Sequence, residues 1–225
     1  MMFEKRINIF TGHFGSGKTE VAINYAIKLS TVYDKTTIVD MDIVNPFFRT
    51  ADAKAPLQEK GIWVVLPVYA NSNVDVPALP PEINAVFNKK EYHAVFDVGG
   101  DDIGALALSR YKEEISSEDY DMFFVINTKR PFTDTVPKIE EMIDSIEGSS
   151  RLKVTGLINN TNLLQFTSKE DLLQGQQMLS EISANRNIPI SITSGFFEDM
   201  GMSAEGLEGE ILDLNKYILL PWDKE

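Results

Sequence analysis

Residues Gly12-His13-Phe14-Gly15-Ser16-Gly17-Lys18-Thr19 bring glycine, lysine and a hydroxyl together in the pattern G-x-x-x-x-G-K-[ST]. That combination suits one kind of chemistry, the cradling of a chain of phosphates. Backbone N–H groups must converge on an anion, and glycine is needed where the chain bends back or where a Cβ would strike the ligand. A helix opening at Lys18 adds its free amides and its partial positive charge. Lys18 supplies a mobile ammonium for the outer phosphates. The Thr19 hydroxyl is a ligand for Mg²⁺, a hard cation that takes oxygen. The spacing therefore predicts that Gly12, His13, Phe14, Gly15, Ser16, Gly17, Lys18, Thr19 and Glu20 form a nucleotide phosphate site, with Lys18 also acting in catalysis.

Phosphoryl transfer also needs carboxylates that hold the metal's water shell and orient an attacking water. Two apolar runs end in them. Val39-Asp40-Met41-Asp42-Ile43-Val44-Asn45-Pro46 offers Asp40 and Asp42, and Ala94-Val95-Phe96-Asp97-Val98-Gly99-Gly100 offers Asp97. We expect Asp42 and Asp97 to serve the metal together with Thr19, and the Gly99 or Gly100 amide to meet the terminal phosphate. Asp40 and Asp42 can both turn toward one ligand only if the strand has ended at Asp40, and otherwise Asp40 caps or orients; Asp101 with Asp102 reads as a helix N-cap. Arg130 in Asn127-Thr128-Lys129-Arg130-Pro131, and Arg49, are further charges at strand ends or close to one.

These groups need a scaffold that places strand ends side by side. Short runs rich in Val, Ile and Phe recur at Ile7–Phe10, Thr37–Val39, Ile62–Leu66, Ala94–Phe96, Met122–Ile126, Val154–Ile158 and Pro189–Ile192. Such runs suit strands buried on both faces. Between them lie amphipathic stretches. Ala22, Tyr25, Ala26 and Leu29 make one stripe of a helix from Lys18 to Thr31, and Val136, Ile139, Ile143 and Ile146 make another. Ser168 and Asp171 read as the N-cap of a third, with Leu172, Gln176 and Leu179 along one side. The alternation predicts an α/β fold in three layers, a mostly parallel sheet with helices on both faces. Pro67–Pro81 breaks the rhythm as an extended excursion, followed by a short helix toward Asn88. No linker or repeat interrupts residues 1–225, so one domain is expected.

Composition narrows the function classes. The net charge is −13, from 21 Lys+Arg against 34 Asp+Glu. That balance opposes unspecific binding to nucleic acid or to an anionic membrane, which needs clustered cations. The chain has no cysteine, so disulfides, thiolate metal sites and cysteine nucleophiles are excluded. The N-terminal apolar run is too short for a signal peptide and no run is long enough to span a bilayer, so a cytoplasmic protein is expected. The tail from Gly209 carries Ile218, Leu219, Leu220 and Trp222 among acidic residues and reads as a packed C-terminal element rather than a membrane helix.

Strand–GxxxxGKT–helix, then VDMDIVNP, then FDVGG resembles the MinD/ParA-type P-loop NTPases, within the wider signal-recognition and MinD superclass. The resemblance covers about residues 5–200, and its motifs are those of the superclass. It identifies the loop as a Walker A segment and Asp97 as the Walker B carboxylate. It implies a Mg²⁺-dependent ATPase in which Asp42 positions the hydrolytic water, Thr19 binds Mg²⁺ directly and Asp97 holds it through water. Members of the group carry a lysine where this chain has His13, and that lysine reaches across a homodimer interface. The Gly-Ser-Gly-Lys-Thr version is also similar to metallochaperone and signal-recognition GTPase branches, whose metal-binding cysteines are missing here. In this superclass guanine is usually read by N-K-x-D. Asn159-Asn160-Thr161-Asn162 ends in an amide instead, and Asn159 resembles the adenine contact of MinD-like proteins, so ATP is expected over GTP.

Hydrolysis would act as a conformational switch read by a protein partner. Two other readings use the same scaffold. A phosphotransferase or ATP-dependent ligase would close the Pro67–Pro81 excursion over a small-molecule acceptor, and a non-catalytic sensor would use the nucleotide only to set its shape.

Overall fold

The computed structural model describes residues 2–42, 50–67, 79–100 and 102–218. In chain order the elements are β1 (Ile7–Thr11), α1 (Lys18–Ser30), β2 (Thr36–Met41), α2 (Lys54–Glu59), β3 (Trp63–Val65), α3 (Glu82–Asn88), β4 (His93–Val98), α4 (Asp102–Ser109), α5 (Lys112–Ser116), β5 (Tyr120–Ile126), α6 (Val136–Ser150), β6 (Gly156–Asn159), α7 (Lys169–Arg186), β7 (Ile190–Gly195) and β8 (Glu210–Asp213). The strands form one eight-stranded sheet in the order β3-β2-β4-β1-β5-β6-β7-β8, and every pairing is parallel. All seven expected strands are present with shifted ends. The C-terminal tail contributes an eighth strand at the sheet edge.

The layers follow from the two-residue period of the strands. Phe10, Ile38, Val95, Phe123, Val125 and Ile158 face one side, where they pack with Val21, Ala22, Tyr25 and Leu29 of α1 and Leu57 of α2. Ile7, Ile9, Met41, Phe96, Phe124 and Ile126 face the other. There they meet Ile83 of α3, Leu108 of α4, Ile139 and Ile143 of α6 and Leu179 of α7. Both sheet faces are therefore apolar, as a sheet between two helical layers requires. Each large aliphatic or aromatic side chain so buried contributes about 1.5–3 kcal/mol.

The predicted cap of α7 is present. Ser168 accepts from the Asp171 amide while Asp171 accepts from the Ser168 amide, a reciprocal capping box on α7. The residues Ile43–Arg49, most of the Pro67–Pro81 excursion, Asp101, and Leu219, Leu220 and Trp222 of the tail lie outside the described residues. Among the described residues no helix is long and apolar enough to cross a membrane.

β1 lies between β4 and β5 although the chain runs from β1 to β2, so the crossovers on its two sides diverge. In open α/β sheets a crevice opens at that point beyond the strand C-termini. The glycine loop, Asp42 and the Asp97-Gly99 turn all end there.

Candidate functional site

The loop between β1 and α1 takes its shape from its glycines. Gly12 has φ 147°, and a Cβ there would stand 2.4 Å from the Val125 carbonyl oxygen. Gly17 has φ 82° and would drive a Cβ to 2.4 Å from Asn160 Nδ2. The turn is closed by Ser16 N donating to the His13 carbonyl at 3.0 Å. From behind, Asn160 Nδ2 donates to the Ser16 carbonyl at 2.7 Å, and its Oδ1 accepts from Ser194 Oγ at 3.0 Å. Arg130 Nε donates to the Gly15 carbonyl at 3.1 Å. Gly100 packs so closely that a Cβ would lie 2.8 Å from Phe14 N.

α1 opens from Gly17 with no side chain capping it, in contrast to α7. An uncapped helix N-terminus keeps free backbone amides and a partial positive charge, which suit an anion. Lys18 and Asp42 are both 5% exposed, and Lys18 Nζ donates to Asp42 Oδ2 at 3.4 Å. The Asp42 amide donates to Asp40 Oδ1 at 2.9 Å. β2 runs through Met41, one residue further than a turn at Asp40 requires. Asp40 therefore orients the start of the Asp42 turn from within the strand.

Asp97 is 1% exposed at the end of β4. The hydroxyls of Thr19 and Thr50 face it, with Thr50 Oγ1 donating to Oδ2 at 3.1 Å. Burial, reinforced by the neighbouring Asp42 charge and opposed by Lys18, pushes its carboxyl up to about 6. Buried Asp97 Oδ1, Ser16 Oγ and Thr11 Oγ1 have no hydrogen-bond partner among the described residues. Buried polar atoms are seldom left so, and each such atom needs an account. A hard cation beside Thr19 and Asp97, with phosphate oxygens over the loop, supplies one, and the oxygen donors suit Mg²⁺. Among the described residues no group of three or more His, Asp or Glu side chains forms an all-protein metal cage. Phosphate and water would therefore complete the shell. A Cβ at Gly99 would come within 3.2 Å of Asp42 Oδ1, so a side chain there would crowd the carboxylates.

Above these groups opens a cleft of about 320 Å³. It is lined by Gly15, Gly17, Lys18 and Thr19 and by Asn160, Asn162, Leu164, Phe196, Leu214 and Ile218. The structure thus brings Phe14, Gly15, Gly17, Lys18, Thr19 and Glu20 to one opening, with Gly12, Ser16, Asp42, Asp97 and Gly99 beneath or beside it.

Two expected residues do not point there. Asn159 is 0% exposed, and its Nδ2 donates to the Leu172 carbonyl at 2.9 Å while its Oδ1 accepts from Thr161 N at 3.2 Å. As the last residue of β6 it faces α7, and Asn160 turns to the phosphate loop instead. The His13 ring stacks on Phe132 at 4.7 Å between centroids, and its Nδ1 lies 2.8 Å from the Phe14 carbonyl.

Glu20 has a role that local sequence did not reveal. Its Oε1 accepts from Tyr217 N at 2.7 Å and its Oε2 from Ile218 N at 3.0 Å. Burial holds its carboxyl up at about 7, against the pull of these two amides.

No protein-family model matches the chain, and no curated protein matches it. Solved structures do. FtsY from Mycoplasma mycoides superposes with a TM-score of 0.52 at 18% identity, over 85% of this chain and 60% of that one. Cell division protein FtsY from Thermotoga maritima gives 0.52 at 19%, over 84% and 61%. The signal recognition particle receptor FtsY from Elizabethkingia anophelis, in complex with GDP, gives 0.51 at 15%, over 84% and 56%. The chain spans about three fifths of the length of these proteins. At such identities the likeness speaks for architecture, and the architecture of this chain is the α/β fold of the P-loop NTPases.

Proposed function

We propose that the protein binds and hydrolyses a nucleoside triphosphate with Mg²⁺, ATP in preference to GTP, and works as a switch of the MinD/ParA-like kind. The observation that carries this reading is the buried Lys18–Asp42 pair, set beside Thr19 and Asp97 at the uncapped end of α1. The loop amides and Lys18 bind the phosphates. Thr19 and Asp97 would hold Mg²⁺, which when bound neutralises charge developing on the transferred phosphoryl group.

Lys18 and Asp42 divide the remaining work. A terminal phosphate competes with Asp42 for the Lys18 ammonium, whose bond to Asp42 is long. Asp42, released from Lys18, accepts a hydrogen bond from water and aims it along the line of displacement. Asp40 keeps the backbone of that turn in place. Loss of the terminal phosphate returns Lys18 to Asp42, so the strand-end turn at Asp42 senses which nucleotide is bound.

The base preference rests on acceptors. Guanine offers N1–H and an amino group that select a carboxylate. Of the cleft's acceptors, Asn162 Oδ1 takes Leu164 N at 3.4 Å while its Nδ2 donates to the Asn160 carbonyl at 2.7 Å, and the Glu20 carboxylate is engaged by two backbone amides. Neither is disposed to take a guanine edge.

Turnover of Mg-ATP by wild type and by Asp42→Asn tests the reading. A fall of about a hundredfold in turnover with little change in ATP affinity is expected, the scale of losing one preorganised polar group at a reacting centre. Equal turnover by the two proteins contradicts the role of Asp42, and tighter binding of GTP than ATP contradicts the base preference.

A further inference from the structure

A carboxylate immediately after Thr19 is out of place in a site built for phosphate, since like charges repel. Glu20 is instead engaged by the segment that follows β8. β8 holds the sheet edge by pairing with β7, and Leu214 N continues the contact by donating to the Gly195 carbonyl at 2.8 Å. From there residues 214–218 run back across α1. Asn24, one turn beyond Glu20, clamps Asn215 from both sides: its Nδ2 donates to the Asn215 carbonyl at 2.9 Å, and its Oδ1 accepts from Asn215 N at 2.8 Å. Glu20 then takes the amides of Tyr217 and Ile218. Glu20 and Asn24 stand at i and i+4, on one face of the helix.

This clamping decides which way the segment's side chains point. Alternate residues Leu214, Lys216 and Ile218 line the cleft, together with Leu164 and Phe196. Gly15 and Gly17–Thr19, which would take the phosphates, line the same cleft. The segment is held at Glu20 and Asn24, further along α1 than Lys18 and Thr19, and its largely apolar lining there suits the base of a nucleotide.

We propose that residues 214–218 form the base-side wall of the cleft, and that Glu20 and Asn24 are positioning residues for the nucleoside rather than contacts to phosphate. The inference rests on the nucleotide reading above and adds which part of the ligand each side of α1 serves. The first turn of α1 meets the phosphates through Lys18 and Thr19. The face carrying Glu20 and Asn24 fixes the wall for the base.

The test compares Mg-ATP with Mg-tripolyphosphate, a ligand with the phosphates and no nucleoside, binding to the full chain by direct titration and by competition. Wild type is expected to bind ATP more tightly than tripolyphosphate. Glu20→Ala and Asn24→Ala should each lose about tenfold or more in ATP affinity, moving it toward that of tripolyphosphate, whose own affinity stays within about twofold. Glu20→Gln should recover much of the loss, because its amide oxygen still accepts from one N–H of the 214–218 segment. Ile218→Ala leaves both clamps in place and should show the same ligand-selective loss, which guards against an effect on folding. Equal loss on both ligands, unchanged ATP affinity in the Ala variants, or a Gln variant as weak as Ala overturns the proposal. A wild type that binds ATP and tripolyphosphate equally also overturns it and leaves the phosphate reading standing. A wild type that binds neither ends both.

Discussion

Replacing Gly17 by alanine should damage the phosphate loop through one neighbour, Asn160. Gly17 sits at φ 82°, where an L-residue costs about 1–2 kcal/mol. The new Cβ would also come within 2.4 Å of Asn160 Nδ2. Relieving that contact means moving Asn160 off the Ser16 carbonyl and Ser194 Oγ, which it bonds at 2.7 and 3.0 Å. Two buried hydrogen bonds lost or bent cost roughly 2–3 kcal/mol between them. The sum is about 3–5 kcal/mol, which in a chain of this size lowers the thermal midpoint by roughly 6–20 °C. Asn160→Ala alone forfeits the two bonds, about 2–3 kcal/mol, and removes the obstacle. In the double variant the hydrogen-bond cost is counted once, so it should be more stable than the two single losses predict by about 2 kcal/mol. Urea denaturation of the four proteins closes this cycle. Losses that add to within about 0.5 kcal/mol would refute the reasoning, because residues in contact do not behave as independent sites.

Three further outcomes follow from particular residues. Because burial pushes Asp97 up to about 6, its ionised form at neutral pH opposes folding. Asp97→Asn should therefore raise the thermal midpoint without nucleotide while abolishing the gain in nucleotide affinity that Mg²⁺ gives, and a lowered midpoint or a retained Mg²⁺ effect counts against the assignment. Burial holds Glu20 at about 7 against an ordinary 4.5, so the folded chain keeps a proton that the unfolded chain has released. That contribution is complete below about 4.5 and is lost as pH rises through about 7; denaturation on either side of the window should show this slope in wild type and not in Glu20→Gln. Ser168→Ala removes one half of the α7 capping box and should cost about 1 kcal/mol in denaturation midpoint analysis, leaving nucleotide affinity untouched.

The parts of this molecule that were legible in its sequence are those encoded within a few residues. The glycine loop announces itself because strand, turn and helix are contiguous, and Asp42 and Asp97 stand out because each ends an apolar run. The α6 stripe of Ile139, Ile143 and Ile146 is periodic, and all three are buried.

What escaped depends on pairings that no local pattern encodes. Choosing Asn159 over Asn160 is a choice of phase at a strand end, where one step reverses the side chain. β6 shifts register against β7 between Leu157 and Ile158. Gly175 lets α7 approach so closely that a Cβ there would lie 2.9 Å from Asn159 Oδ1. Asn159 meets the helix at that close approach. The link of residues 214–218 to α1 joins residues 191 to 198 positions apart, and Glu20 in isolation is only an acidic residue in the first turn of a helix.

The central claim is that the loop at Gly12–Thr19 is a working nucleotide site with Lys18 at its heart. Calorimetric titration of the full chain and of Lys18→Ala with Mg-ATP and Mg-GTP tests it most directly. Wild type should bind ATP saturably and one to one, and removing the ammonium should weaken that binding about a hundredfold or more, roughly 2.7 kcal/mol. A wild type that binds neither nucleotide, or a Lys18→Ala variant that binds ATP as tightly as wild type, would contradict it.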